Sequence, residues 1–192
     1  MTQTLTGLYD TYDEAKRTVG DLESAGIPHS DISIVAGNAE GEHASAAGTG
    51  AGLGAIVGGG AGLLAGLGII AIPGLGPVVA AGWLAATAVG AVAGAASGGL
   101  IGGLVSAGVS EKDAHVYAEG VRRGGSLVTV RAADAQVDTA RMILQRHRSV
   151  DLAARRGMYE KEGWREFDPK AVPYTPAQIA KERERINKYP RS

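Results

Sequence analysis

Ile72-Pro73-Gly74-Leu75-Gly76-Pro77 lies near the middle of 67 consecutive residues, 44–110, that contain no Asp, Glu, Lys, Arg or His. Two prolines and two glycines stop any helix, so this stretch predicts a turn. What flanks the turn decides the fold. Gly50, Gly54, Gly58, Gly62 and Gly66 recur every fourth residue before it. Gly82, Gly90, Gly94, Gly98 and Gly102 follow it, with Ala86 and Ser106 in the same row. On a helix, residues four apart share one face, so each row predicts a groove where another backbone approaches closely. The expected element is a glycine-zipper helical hairpin, with arms over 49–71 and 78–107. Each arm exceeds the roughly 20 residues that cross a bilayer. Trp83, within two turns of the loop, suits an interfacial tryptophan.

The flanking sequence is of ordinary polarity. Residues 4–9 predict a strand. Thr11-Tyr12-Asp13-Glu14 is a capping box that opens a helix carrying Ala15, Val19, Leu22 and Ala25 at helical spacing. Gly26 and Pro28 end that helix, and residues 31–36 predict a second strand. After the block, Ser110-Glu111-Lys112-Asp113 caps another helix, stopped by Gly124-Gly125. Leu127, Val128 and Val130 mark a strong strand. Asp134 is expected to cap a helix with Val137, Ala140, Ile143 and Leu144 on its apolar face, and residues 149–152 predict a last short strand. The fold class expected is α+β: a ferredoxin-like split βαβ-type domain, interrupted by the hairpin and followed by a C-terminal arm with a short helix. The expected units are 1–43 and 111–153 for the two halves of the domain, 44–110 for the hairpin and 154–192 for the arm.

The arm carries five of the chain's nine aromatic residues, among them Tyr159, Trp164, Phe167 and Tyr174. Thr175-Pro176-Ala177-Gln178 is a helix start with Pro at the first helical position. Lys181 to Arg185 alternate in charge, which predicts a solvated helix. The arm reads either as a partly ordered extension or as a segment that docks on a neighbouring subunit through its aromatics.

No residues converge on chemistry. The chain has no cysteine, and its four histidines, His29, His43, His115 and His147, lack metal-ligand spacing. Gly50-Ala51-Gly52-Leu53-Gly54-Ala55 matches a dinucleotide fingerprint in letters only. A polar linker precedes it, and no acidic residue follows until Glu111. Arg122-Arg123, Arg146-His147-Arg148 and Arg155-Arg156 are small basic clusters among acids, expected at a salt-bridged or solvated surface. The net charge of −1 gives no field for nucleic acid. The N-terminus lacks the basic and apolar regions of a cleavable signal.

The residues Leu5-Thr6-Gly7-Leu8-Tyr9-Asp10 with their capped helix resemble bacterial general stress proteins of the heat-induced stress family. So do Tyr117-Ala118-Glu119-Gly120-Val121-Arg122-Arg123-Gly124-Gly125 running into Leu127-Val128-Thr129-Val130, and the tail from Gly163-Trp164 to Tyr174-Thr175-Pro176. That resemblance implies a stress-linked, non-enzymatic role without cofactor, metal or catalytic residues. The expected function is self-association through the zipper helices, inserted in or attached to the inner membrane with the domains facing the cytoplasm. The partners are then other copies of the chain and lipid. The alternatives are a soluble cytoplasmic homo-oligomer with the hairpins buried inside, and a ligand-binding regulatory domain.

Overall fold

A computed structural model of the chain describes residues 2–37, 68–72, 74–90 and 99–188. It is a mixed α+β fold: a five-stranded antiparallel sheet and, among the described residues, seven α-helices. The strands are β1 (Thr2–Tyr9), β2 (Ile32–Gly37), β3 (Gly68–Ile72), β4 (Gly76–Gly82) and β5 (Ser126–Ala133), in the order β1-β5-β2-β4-β3. The helices are α1 (Tyr12–Ser24), α2 (Trp83–Gly90), α3 (Gly99–Ser106), α4 (Glu111–Arg122), α5 (Val137–Arg146), α6 (Leu152–Glu160) and α7 (Pro176–Asn187). β1 and β2 both run antiparallel to β5, so they are parallel to each other with β5 between them.

The polar ends fold much as their local signals dictate. Thr11, Ser110 and Thr175 all cap helices, each side chain accepting the backbone N–H three residues on. At Thr175 the Gln178 side chain returns a bond to the cap N–H, completing the box. Asp134 instead opens a short 3-10 turn, and α5 begins after Gln136. The strand expected at 149–152 is reduced to one bond, Val150 N–H to the Leu8 carbonyl at 2.7 Å. Asp151 already caps α6, which ends any strand there.

The helical hairpin is corrected where it is described. The turn is in place, with the Leu75 N–H bonded to the Ile72 carbonyl and both Gly74 and Gly76 at positive φ. Its flanks, however, are β3 and β4, paired from Ile72↔Gly76 to Gly68↔Ala80. β4 also pairs with β2, from Val78↔Gly37 to Gly82↔Ser33. Ile69, Ile70, Ile72, Val78 and Val79 are β-branched and fit a pleated surface better than a helix. A helix rich in glycine also loses about 1 kcal/mol per glycine relative to alanine, so local propensity does not defend it. Gly68–Ile72 and Gly76–Gly82 of the uncharged block are therefore part of the sheet rather than of a separate helical unit. The remainder of the second arm includes α2 and α3, eight residues each. Among the described residues no helix is long and apolar enough to cross a membrane. Most of the first arm lies outside the described residues.

Both faces of the sheet are covered. On one face Ile32, Ile34, Val128 and Val130 pack against Val19 and Leu22 of α1 and Ile143 and Leu144 of α5. On the other, Leu8, Val35, Val78 and Leu127 pack against Leu84, Leu100 and Leu104 of α2 and α3 and Ala118 and Val121 of α4. β2 is buried along its whole length, as a central strand covered on both sides must be.

Three tyrosines are tied into this interior. Burial pushes the phenols of Tyr9, Tyr117 and Tyr159 up to about 12. Tyr9 donates to the Leu144 carbonyl at 3.0 Å, and Tyr117 to the Thr6 carbonyl at 3.3 Å. A folded-state value above the unfolded value of 10.0 means stability that is complete below pH 10 and lost as pH climbs towards 12. Absorbance at 295 nm is therefore expected to show these three phenols ionising together with loss of far-UV circular dichroism. Ionisation near pH 10 with the dichroism intact would contradict their burial.

Candidate functional site

The densest polar constellation lies where the C-terminal arm crosses α4. Glu119 and Arg123 are four residues apart on α4, one turn apart on one helical face. Arg123 donates from Nε to Glu119 at 2.7 Å and from Nη1 to Glu162, beyond α6, at 2.7 Å. The same Nη1 reaches Glu182 of α7 at 3.1 Å. Arg185 bonds to Glu182 at 2.6 Å and also pairs with Glu162. The guanidinium of Arg123 lies 4.0 Å over the Tyr159 ring, which in turn meets Trp164 edge-on at 5.6 Å. Arg122 pairs with Glu119, lies 4.8 Å over the Tyr174 ring and donates to the Val172 carbonyl. Glu119 is fully buried, and Arg123 and Glu182 are each 7% exposed.

Electrostatics at this cluster favour the charged state. Burial opposes the charge on Arg123, but the hydrogen bond and charge of Glu119 outweigh it, so its pKa is raised. Arg155 behaves alike: burial works against its charge, while Tyr159 and the 2.6 Å bond to Asp10 hold it. Every buried guanidinium described here has its carboxylate. Such an arrangement of planar guanidinium groups between carboxylates fixes geometry.

A second contact closes the arm over the sheet. Phe167 is buried against Ile72, Leu75 and Leu100, and its N–H donates to His115 Nδ1 at 3.1 Å. The tip of the β3–β4 turn is overlaid by the same segment. A Cβ added to Gly74 would lie 2.8 Å from the Asp168 carbonyl oxygen, from Phe167 Cζ and from Pro169 Cα. One added to Gly76 would meet Pro173 at 2.9 Å. Further along, Ile179 of α7 rests on Gly124, leaving no room for a side chain there. An open groove of about 1070 Å³ runs between α6 and α7, lined by Val150, Met158 and Ile186 and by the charged side chains of Arg148, Asp151, Arg155, Lys161, Glu162 and Arg185.

Of the arm aromatics singled out from the sequence, Tyr159 and Phe167 are buried within their own chain, and Trp164 and Tyr174 are half-buried beside them. The glycines behave otherwise. Gly50, Gly54, Gly58, Gly62, Gly66, Gly94 and Gly98 lie outside the described residues. Gly90 is the last residue of α2. Gly82 ends a strand rather than lining a helix groove. Gly102 is on α3 but half-buried; its neighbour Gly103 faces α2, where an added Cβ would lie 2.9 Å from Leu84. Helix contact through a glycine is thus present, one residue from the predicted row, because Gly99, Leu100, Gly103 and Leu104 form the buried side of α3.

Glu119, Glu162 and Glu182 escaped sequence reasoning. Two signals were available: the four-residue spacing of Glu119 and Arg123, and the place of Glu182 between Ile179 and Ile186 on one helical stripe. No family model, no curated protein and no solved structure matches this chain.

Proposed function

We propose that this chain is a non-enzymatic, self-associating protein that assembles as a soluble cytoplasmic homo-oligomer. In this reading its role is structural and stress-linked, as the family resemblance implies, and its partners are copies of itself. The observation that favours this reading over bilayer insertion is the contact of the Gly74–Gly76 tip with residues 167–173 of the arm. A hairpin crossing a bilayer would put that tip on the far side from the domain, and here tip, arm and domain pack together. The strand Gly76–Gly82 argues the same way against the helical hairpin, since it is paired into the sheet of the domain. The buried charge clusters support a structural role, because their members are spent on holding the arm in place.

The ferredoxin-like reading of the domain draws support from the split arrangement of β1, β5 and β2, and from Val150 bonding to the outer side of β1 where a further strand would lie. β3 and β4 extend the sheet beyond that pattern. The groove beside α6 favours a second reading, a ligand-binding regulatory domain, with a mixed lining in which Arg148, Arg155, Lys161 and Arg185 stand among Val150, Met158 and Ile186 beside Asp151 and Glu162.

Native mass spectrometry of the chain purified without detergent tests both. The expected result is a particle of two or more chains. A monomer would defeat the assembly reading, recovery only in detergent would restore the membrane one, and a small molecule retained in the particle would favour the ligand-binding one.

A further inference from the structure

Residues 165–173 form a strap. At one end it leaves the Tyr159–Trp164 ring pair, and at the other it enters α7 through the Thr175 cap. Between them it lies over the β3–β4 turn, with Phe167 covering Ile72, Leu75 and Leu100. Hydrogen bonds from two side chains of α4 hold its backbone. Arg122 Nη2 donates to the Val172 carbonyl at 3.0 Å, and the Phe167 N–H donates to His115 Nδ1 at 3.1 Å. The first anchor carries a permanent charge. The second works in one protonation state only. A backbone N–H donates and never accepts, so Nδ1 offers a lone pair, and the ring is neutral with its proton on Nε2. An imidazolium is a donor at both nitrogens. It would set an N–H against the Phe167 N–H and leave a part-buried donor without an acceptor.

We infer that the strap is a proton-operated gate: neutral His115 holds residues 165–173 shut over the uncharged turn, and protonation of His115 lets them lift. The surroundings give the imidazolium somewhere to turn. Glu111 of α4 and Glu166 of the strap line the cleft at His115, with Lys112 of α4, Arg156 of α6 and Arg165 of the strap. Arg156 is held by Asp113, and Glu119, one turn further along α4, by Arg122 and Arg123. α3 and the β3–β4 turn bring no titratable side chain. Carboxylates, lysine and arginine ordinarily keep their charge between about pH 8 and 5.5, and histidine is the side chain that changes there. The sign follows. Docking of the strap excludes a proton, so docking is complete at the alkaline end and is lost as pH falls through the histidine range. The flanks stay in place, because Arg123 grips Glu162 and Glu182 without the help of the ring. What opens is the apolar floor under Phe167.

Amide hydrogen exchange of the full chain tests this, read as protection relative to an unstructured peptide of the same sequence at each pH. Protection at Phe167 is expected to fall by roughly 10-fold between pH 8 and about 5.5, while protection across α7 holds. His115→Asn keeps an acceptor oxygen near the place of Nδ1 at every pH, and is expected to stay protected throughout. His115→Leu has no acceptor, and is expected to give the low value at both ends. Equal protection of the wild-type strap at the two pH values would overturn the gate. So would a fall that His115→Asn reproduces, which assigns it to another group, or one that α7 shares in full. The gate does not depend on the assembly reading, which none of these results touches.

Discussion

Replacing Arg123 with methionine is expected to destabilise the folded chain by about 3–5 kcal/mol and to release the C-terminal arm. Arg123 is the one cation bonded to Glu119 on α4, Glu162 beyond α6 and Glu182 on α7. Methionine keeps much of the volume but removes the charge, leaving Glu119 with Arg122 alone at 3.3 Å in a site that water does not reach. A buried carboxylate that loses its closer partner is far more damaging than a missing ion pair at the surface, where the median contribution is about 0–1 kcal/mol. The ring contact with Tyr159 goes too. Two measurements check this: the midpoint of urea unfolding, and the rate at which a protease cleaves between α6 and α7. The double variant Arg123→Met, Glu119→Gln is expected to recover part of the loss, because it removes the carboxylate that has lost its closer partner, while Glu182 keeps Arg185 at 2.6 Å. An unchanged midpoint and an equally protected arm would mean that the cluster is incidental.

Gly82→Ala is expected to cost about 2–5 kcal/mol. Gly82 has φ +88, a conformation that carries a penalty of roughly 1–2 kcal/mol for residues with a Cβ. Its Cβ would also lie 2.2 Å from the Ile32 carbonyl oxygen and 2.8 Å from Ser33 Cα, both backbone atoms of a central strand. Neither can rotate away. The residue sits where β4 ends and α2 begins, and it lets the chain turn while pressed on β2. Gly68→Ala, where nothing among the described residues lies within 4 Å of the added carbon, is expected to change stability by less than about 0.5 kcal/mol. The contrast discriminates sharply. In an exposed helix both substitutions would stabilise, by up to about 1 kcal/mol each. Thermal or urea unfolding of the two variants side by side decides it, and equal effects would sink the strand assignment.

The comparison between sequence and structure divides along physical lines. Thr11, Ser110 and Thr175 announced their helices because capping is local: a side chain, three residues and a free N–H. The turn at residues 72–77 was legible for the same reason. Its flanks were not, because two periodicities overlap there. Glycine every fourth residue reads as a helix face over a long window. The pairs Ile69-Ile70 and Val78-Val79 speak for strand over only a few positions, and pairing with β2 settles the matter through contacts no local window contains. On α3 the predicted row ran through Gly102 while the buried side ran through Gly103. A second glycine row, Gly99 and Gly103, was available at the same spacing.

The arm was hardest to read. Lys181 to Arg185 alternate in charge, and alternation on a helix ordinarily means solvent. Glu182, however, shares a stripe with Ile179 and Ile186, all three buried. Its partner Arg123 lies 59 residues earlier in the chain. Long-range pairing of charge leaves no periodic trace, and aromatic residues at irregular intervals give none either. Tyr159 and Phe167 were visible as candidates for docking, but only the fold identifies α4 and the β3–β4 tip as what they meet.

The strand order has a bearing on how the chain comes off the ribosome. β5 separates β1 from β2, yet it is the last strand made among the described residues. β1 has no strand partner and β2 has only β4 until residues 126–133 emerge, so the sheet stays incomplete while the entire uncharged stretch is synthesised. At about 5–20 residues per second, the interval between the end of β4 and the end of β5 lasts on the order of 3–10 s. Throughout that time β2 can pair only with β4, and the apolar faces later covered by α4 and α5 stand open. A nascent chain of this design therefore passes through a window in which a holding chaperone has a clear substrate, and that window closes with the arrival of one late strand.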